Sequence, residues 1–123
     1  AAFLAAHPAV KEVFWALHPA GAAHYRRLAR GADATGGMIT FTLREIGSLT
    51  RVYDRLRLPK GPSFGMRTTL ICPFMYLAHY DLVTTPAGLA ELAASRLDAD
   101  LLRLCVGTEP PEEIIAALAE ALG

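Results

Sequence analysis

Leu101-Leu102-Arg103-Leu104-Cys105-Val106-Gly107-Thr108-Glu109 is an apolar run with one arginine at its centre, stopped by a glycine. The apolar part predicts a strand over Leu101–Val106, the last of the chain. Glu109-Pro110-Pro111-Glu112-Glu113 then opens a helix, because proline is tolerated in a first turn and the glutamates complement the helix dipole. Ile114, Ile115, Leu118 and Leu122 give that helix its apolar face. A guanidinium inside such a strand is costly unless it has a partner. The partner is a carboxylate of the chain (Asp98, Asp100 and Glu109 are near in sequence), water in a cleft, or a ligand carboxylate gripped by the planar fork.

Working outward, the same logic yields three more strands. Met38–Leu43 alternates Ile39, Phe41 and Leu43 with Met38, Thr40 and Thr42, the period of a half-buried strand. Val10–Leu17, with Val13, Phe14, Trp15 and Leu17, predicts a buried strand, and Thr68–Cys72 a short one ended by Pro73. Helices are predicted at Ala1–Ala6, over Ala20–Arg30 with Gly31 as stop, and from a Ser48 cap through Leu56. Another runs from Thr85-Pro86 through Arg96, with proline at the first helical position. Phe74–Leu82 reads equally as an aromatic loop or a single helical turn. Each strand is followed by helical sequence, which taken alone points to crossovers and a parallel sheet. The one-faced alternation of Met38–Leu43 instead suits a sheet covered by helices on one side. The pattern establishes a two-layer α/β domain and leaves strand direction open.

The chain has 123 residues, enough for a single domain over 1–123, with no repeat or long linker. Hydrophobic residues make up 53% and charged residues 20%, a composition that folds. Twelve basic residues balance twelve acidic ones, so no electrostatic footprint exists for nucleic acid or an anionic membrane. No apolar run is long enough to span a bilayer as a helix. Cys72 and Cys105 lack metal-ligand spacing and read as buried thiols of a reducing, cytoplasmic compartment. The four histidines have no companions at ligand spacing, so no metal site is expected. The sequence starts without methionine inside a helix, from which an excised segment of a longer polypeptide is expected.

Four segments in order are similar to the cystathionine synthase/lyase family, the pyridoxal-phosphate (PLP) enzymes of cysteine and methionine metabolism. Gly36-Gly37-Met38-Ile39-Thr40-Phe41 resembles its G-G-M-[LIV]-S-F segment, and Leu56-Arg57-Leu58 its L-K-L helix exit. Ser63-Phe64-Gly65 with Thr69-Leu70 and His79 resembles the S-[LWF]-G-x-x-[ES]-[ST]-L…H block, and Arg103 to Glu109 the closing R-L-S-V-G-x-E. The resemblance implies a fold: a four-stranded, mainly antiparallel sheet with helices on one face, the C-terminal small domain of a fold-type I PLP enzyme. It implies roles as well. Arg103 would hold the substrate α-carboxylate, Ser63 would assist, and Phe64 would shape the pocket. Departures occur at Pro62, Met66, Arg67-Thr68, Pro73 and Cys105, so reaction type does not follow.

A PLP enzyme needs an anchoring lysine, an acid for the pyridine nitrogen and phosphate-binding groups. The only lysines, Lys11 and Lys60, lie in no such motif. The resemblance therefore implies that this segment binds no cofactor, is not catalytic alone, and depends on its own large N-terminal domain, an amino-acid substrate and a homo-oligomer. The rival readings are a free-standing α/β small-ligand or regulatory module and a subunit-contact domain.

Overall fold

A computed structural model describes residues 1–123. Its strands are β1 (Val10–Phe14), β2 (Met38–Leu43), β3 (Leu70–Pro73) and β4 (Leu102–Cys105). They form one sheet in the order β1-β2-β4-β3, with every neighbouring pair antiparallel. The helices are α1 (Ala2–Ala6), α2 (Ala22–Leu28), α3 (Leu49–Arg55), α4 (Phe74–Ala78), α5 (Tyr80–Thr84), α6 (Pro86–Ala94) and α7 (Pro111–Leu122).

Strand order explains why strand–helix alternation gives no parallel neighbours. The connections through α2 and through α4–α6 return the chain antiparallel beside the strand it left. The connection through α3 carries it from β2 to β3, which run parallel one strand apart, and β4, last in the chain, inserts antiparallel to both.

One sheet face carries the core. Val10, Val13, Ile39, Phe41, Leu43, Ile71, Leu102 and Leu104 pack on Leu4 of α1, Leu49 and Val52 of α3, and Ile114, Leu118 and Leu122 of α7. Phe41, Ile71 and Leu102 are fully buried, each worth roughly 1.5–3 kcal/mol of apolar burial. A separate cluster of Met75, Val83 and Leu92, backed by Phe74 and Leu101, ties α4–α6 to the β3–β4 edge.

Several expectations needed correction. The strand predicted over Val10–Leu17 stops at Phe14 and is buried only at Val10 and Val13. As the sheet edge it has one paired side, and Phe14 and Trp15 remain 36% exposed. The helix predicted over Ala20–Arg30 covers Ala22–Leu28, with Ala29 already extended as its C-cap. The Ser48 hydroxyl donates to the Glu45 carbonyl instead of capping the helix. Phe74–Leu82 forms two short helices broken at His79. Thr42 is buried, although it sits in the polar half of the β2 alternation, and its hydroxyl finds no partner. The Thr85-Pro86 start is as read: the Thr85 hydroxyl accepts from the Gly88 amide at 3.1 Å.

Candidate functional site

Arg103 lies mid-way along β4, opposite Thr40 of β2 and Cys72 of β3. Thr40 in turn stands opposite Phe14. Because side chains alternate along a strand, Phe14, Thr40, Arg103 and Cys72 form one row across the face turned away from the α1–α3–α7 core. Arg103 is half-buried in this row.

The acids that could neutralise it are engaged elsewhere. Asp98 pairs with Lys11 at 2.7 Å, and an Asp100 oxygen accepts from the Gly47 amide at 3.1 Å. Glu109 binds Thr69 through both oxygens, at 2.6 and 2.7 Å. Arg103 instead donates to the carbonyl of Pro62, the residue before Ser63. Its guanidinium carbon stands 5.7 Å from the Phe64 ring centroid and 5.1 Å from that of Phe74, two cation–π contacts. The Cys72 thiol is pushed up by burial, with the Arg103 charge and hydrogen bond opposing that shift.

The turn carrying Ser63 and Phe64 is thus brought to Arg103, the grouping expected of the sequence-predicted site residues. Both side chains are exposed, Phe64 by 66%. Gly65 has φ +68°, a conformation only glycine adopts cheaply, and its amide donates to the Cys105 sulfur. A cavity of about 310 Å³ flanks the turn, lined by Tyr53, Lys60, Pro62 and Cys72 among others. Sequence reading missed Phe74, the second aromatic wall of the guanidinium. The signal was its position two residues after Cys72, at the end of the strand that pairs with Arg103.

The far end of the turn is pinned to the β4 exit. The Arg67 carbonyl accepts from the Thr108 amide at 2.8 Å and from the Thr108 hydroxyl at 3.1 Å. The buried Thr69 hydroxyl accepts from the Gly107 amide at 2.8 Å and donates to Glu109. Hydrogen bonds from the Thr69 amide first, and its hydroxyl second, hold the Glu109 carboxyl below its ordinary value. A carboxyl lowered on folding adds stability that is complete above its unfolded value and lost as pH falls through the lowered one. Thermal melts of the chain from neutral to acid pH should therefore fall more steeply in the wild type than in Glu109→Gln. Coincident acid profiles would remove Glu109 from that account.

The PLP implied by the resemblance can be tested against these side chains. Lys11 is paired with Asp98, and the Lys60 ammonium stands 4.9 Å from the Tyr53 ring centroid. Glu109 is occupied by Thr69. The lysines and this acid are thus engaged within the chain and do not fit the cofactor.

The family model described as Cys/Met metabolism PLP-dependent enzyme matches residues 1–123. The L-2-amino-4-chloropent-4-enoate dechlorinase/desaturase of Streptantibioticus cattleyicolor is 45% identical over 121 residues, covering 98% of this chain and 24% of that protein. Cystathionine gamma-synthase of Neurospora crassa is 30% identical over 116 residues, covering 94% and 18%. Among solved structures, cystathionine gamma synthase from Xanthomonas oryzae pv. oryzae in complex with cystathionine superposes with a TM-score of 0.75 at 26% identity, over 98% of this chain and 30% of that one. The chain spans about a quarter or less of these two curated relatives. A match along its whole length, on an antiparallel sheet shared with a solved family member, makes the chain a member of the Cys/Met metabolism family of PLP-dependent enzymes.

Proposed function

We propose that residues 1–123 are the C-terminal domain of a PLP-dependent lyase or transferase, and that this domain's task is to hold the α-carboxylate of an amino-acid substrate. A large upstream domain supplies the cofactor and its lysine, and this chain is inactive without it. The observation that carries the reading is Arg103: half-buried, flanked by two aromatic rings, bound to the carbonyl beside Ser63, and paired with no acid of the chain.

The guanidinium presents a fork of donors to a carboxylate, two parallel bonds that fix both position and rotation. Ser63, exposed at the turn, adds a hydroxyl donor. Phe64 and Phe74 flank the guanidinium with their rings and limit the directions from which an anion can approach it. Fixing the carboxylate fixes the direction of the neighbouring Cα–H bond, so the contribution to rate is orientation. The dechlorinase/desaturase relative, at 45% identity against 30% for the Neurospora synthase, favours an amino acid with a small γ-leaving group over cystathionine.

The test is turnover by the full-length polypeptide with PLP. Substrates are 2-amino-4-chloropent-4-enoate and cystathionine, each beside the matching amine that lacks the α-carboxylate. The amines should lose about 100-fold or more in kcat/KM, as expected where a site's charged donors are left unpaired. Equal turnover of acid and amine would refute the carboxylate role. Bound-PLP absorbance in the isolated chain would refute the division between domains.

A further inference from the structure

Glu109 sits six positions beyond Arg103 on the same strand exit, yet it does not pair with Arg103. Its two oxygens take the amide and the hydroxyl of Thr69 at 2.6 and 2.7 Å. The Thr69 hydroxyl then receives the Gly107 amide at 2.8 Å. Next to it, the Thr108 amide and hydroxyl hold the Arg67 carbonyl. These bonds pin the C-terminal end of the 62–68 segment to the residues that follow β4, while Arg103 itself pins the N-terminal end through Pro62. Between the pins, Ser63 to Met66 form an exposed arch. Its only other bond reaches Cys105, two residues after Arg103. The entry to the arch is tied to β3, where the Gly61 amide donates to the Ile71 carbonyl at 3.0 Å, and its height over Arg103 comes from β4 and its exit.

We propose that Glu109 is a positioning residue for the carboxylate site: through Thr69 it sets where Ser63 and Phe64 stand relative to Arg103. The inference rests on the carboxylate-clamp reading above and adds to it the part of the chain that builds the clamp. A carboxylate suits this task because one residue must accept two bonds, from an N–H and an O–H of the same partner, on two separate oxygens. Glutamine keeps one acceptor, alanine none. Thr69 needs its hydroxyl both to give and to receive, so serine can replace it and valine cannot. The lowered Glu109 carboxyl agrees with this bonding.

The experiment uses full-length enzyme reconstituted with PLP, with KM and kcat measured for the amino-acid substrate in Arg103→Ala, Glu109→Ala, Glu109→Gln, Thr69→Val and Thr69→Ser. Expected are a rise in KM of roughly tenfold for Glu109→Ala and Thr69→Val, roughly threefold for Glu109→Gln, and none for Thr69→Ser, with kcat held within about threefold throughout. A role in folding alone would lower active-site content and kcat and leave KM in place, and that result overturns the proposal. If Arg103→Ala raises KM while Glu109→Ala and Thr69→Val do not, the clamp stands and the positioning role falls. If Arg103→Ala leaves KM unchanged, the clamp and the positioning role fall together. Thr69→Val and Glu109→Gln keep the side-chain volume, so the comparison survives if Glu109→Ala does not fold.

Discussion

Replacing Arg103 with alanine in the complete enzyme should raise KM for the amino-acid substrate about 10- to 100-fold, the cost of losing hydrogen bonds to a charged group at about 1.5–3 kcal/mol. The fall in kcat should be smaller, since orientation is degraded while the reacting groups stay in place. Arg103→Lys should recover little. A lysine ammonium is a point charge on a flexible stem and offers neither the parallel donor pair nor a flat surface between two rings. The geometry adds an internal control. The guanidinium also spans Phe64, Phe74 and the Pro62 carbonyl, so its loss removes packing as well as charge. Melting temperature therefore has to be followed beside KM. If KM rises for the carboxylate substrate and stays put for its amine counterpart, ligand binding is lost; if both move together, the turn has collapsed. A KM unchanged in Arg103→Ala would end the role assigned to this residue.

How far the sequence carried the argument depends on how local each feature is. The strand over Met38–Leu43 was readable because every second residue faces one core, and Ile39, Phe41 and Leu43 are indeed buried there. The Thr85-Pro86 helix start was readable because its cap involves residues three apart. Strand direction was not readable from alternation, since it turns on where the last strand goes: β2 and β3 run parallel, and β4 inserts antiparallel between them. The end of β1 was misplaced for a related reason: Phe14 and Trp15 look like core and lie on an edge.

The site divides in the same way. Arg103 and the Ser63 turn came from motif order, and the fold brings them together. The three acids weighed as partners of Arg103 each proved to have another, because Lys11, Gly47 and Thr69 lie 40 to 87 residues away from them in sequence. Pairings at that separation are fixed by sheet order alone.

Gly107 follows as the position beside the site where a single methyl group should do damage. A Cβ built there would stand 2.4 Å from the Arg67 carbonyl oxygen and 2.5 Å from both the Thr69 amide and a Glu109 oxygen. Two of these are backbone atoms, so no rotamer change can relieve the clash, and the segment entering β3 must move away from β4. Overpacking of this kind costs about 1–3 kcal/mol, which for a domain of this size is a drop of roughly 5–20 °C in melting temperature. The hydrogen bonds of Thr69 to Glu109 and Gly107 would stretch with the same movement. Gly107→Ala in the full-length enzyme should therefore also raise KM in the direction of Glu109→Ala. Gly36→Ala is the matched control, since a Cβ there meets nothing within 4 Å, and both its stability and its KM should stay at wild-type values. A Gly107→Ala protein as stable as wild type would mean that β3 and β4 can part at this end without cost, and that the turn over Arg103 is held by something other than the β4 exit.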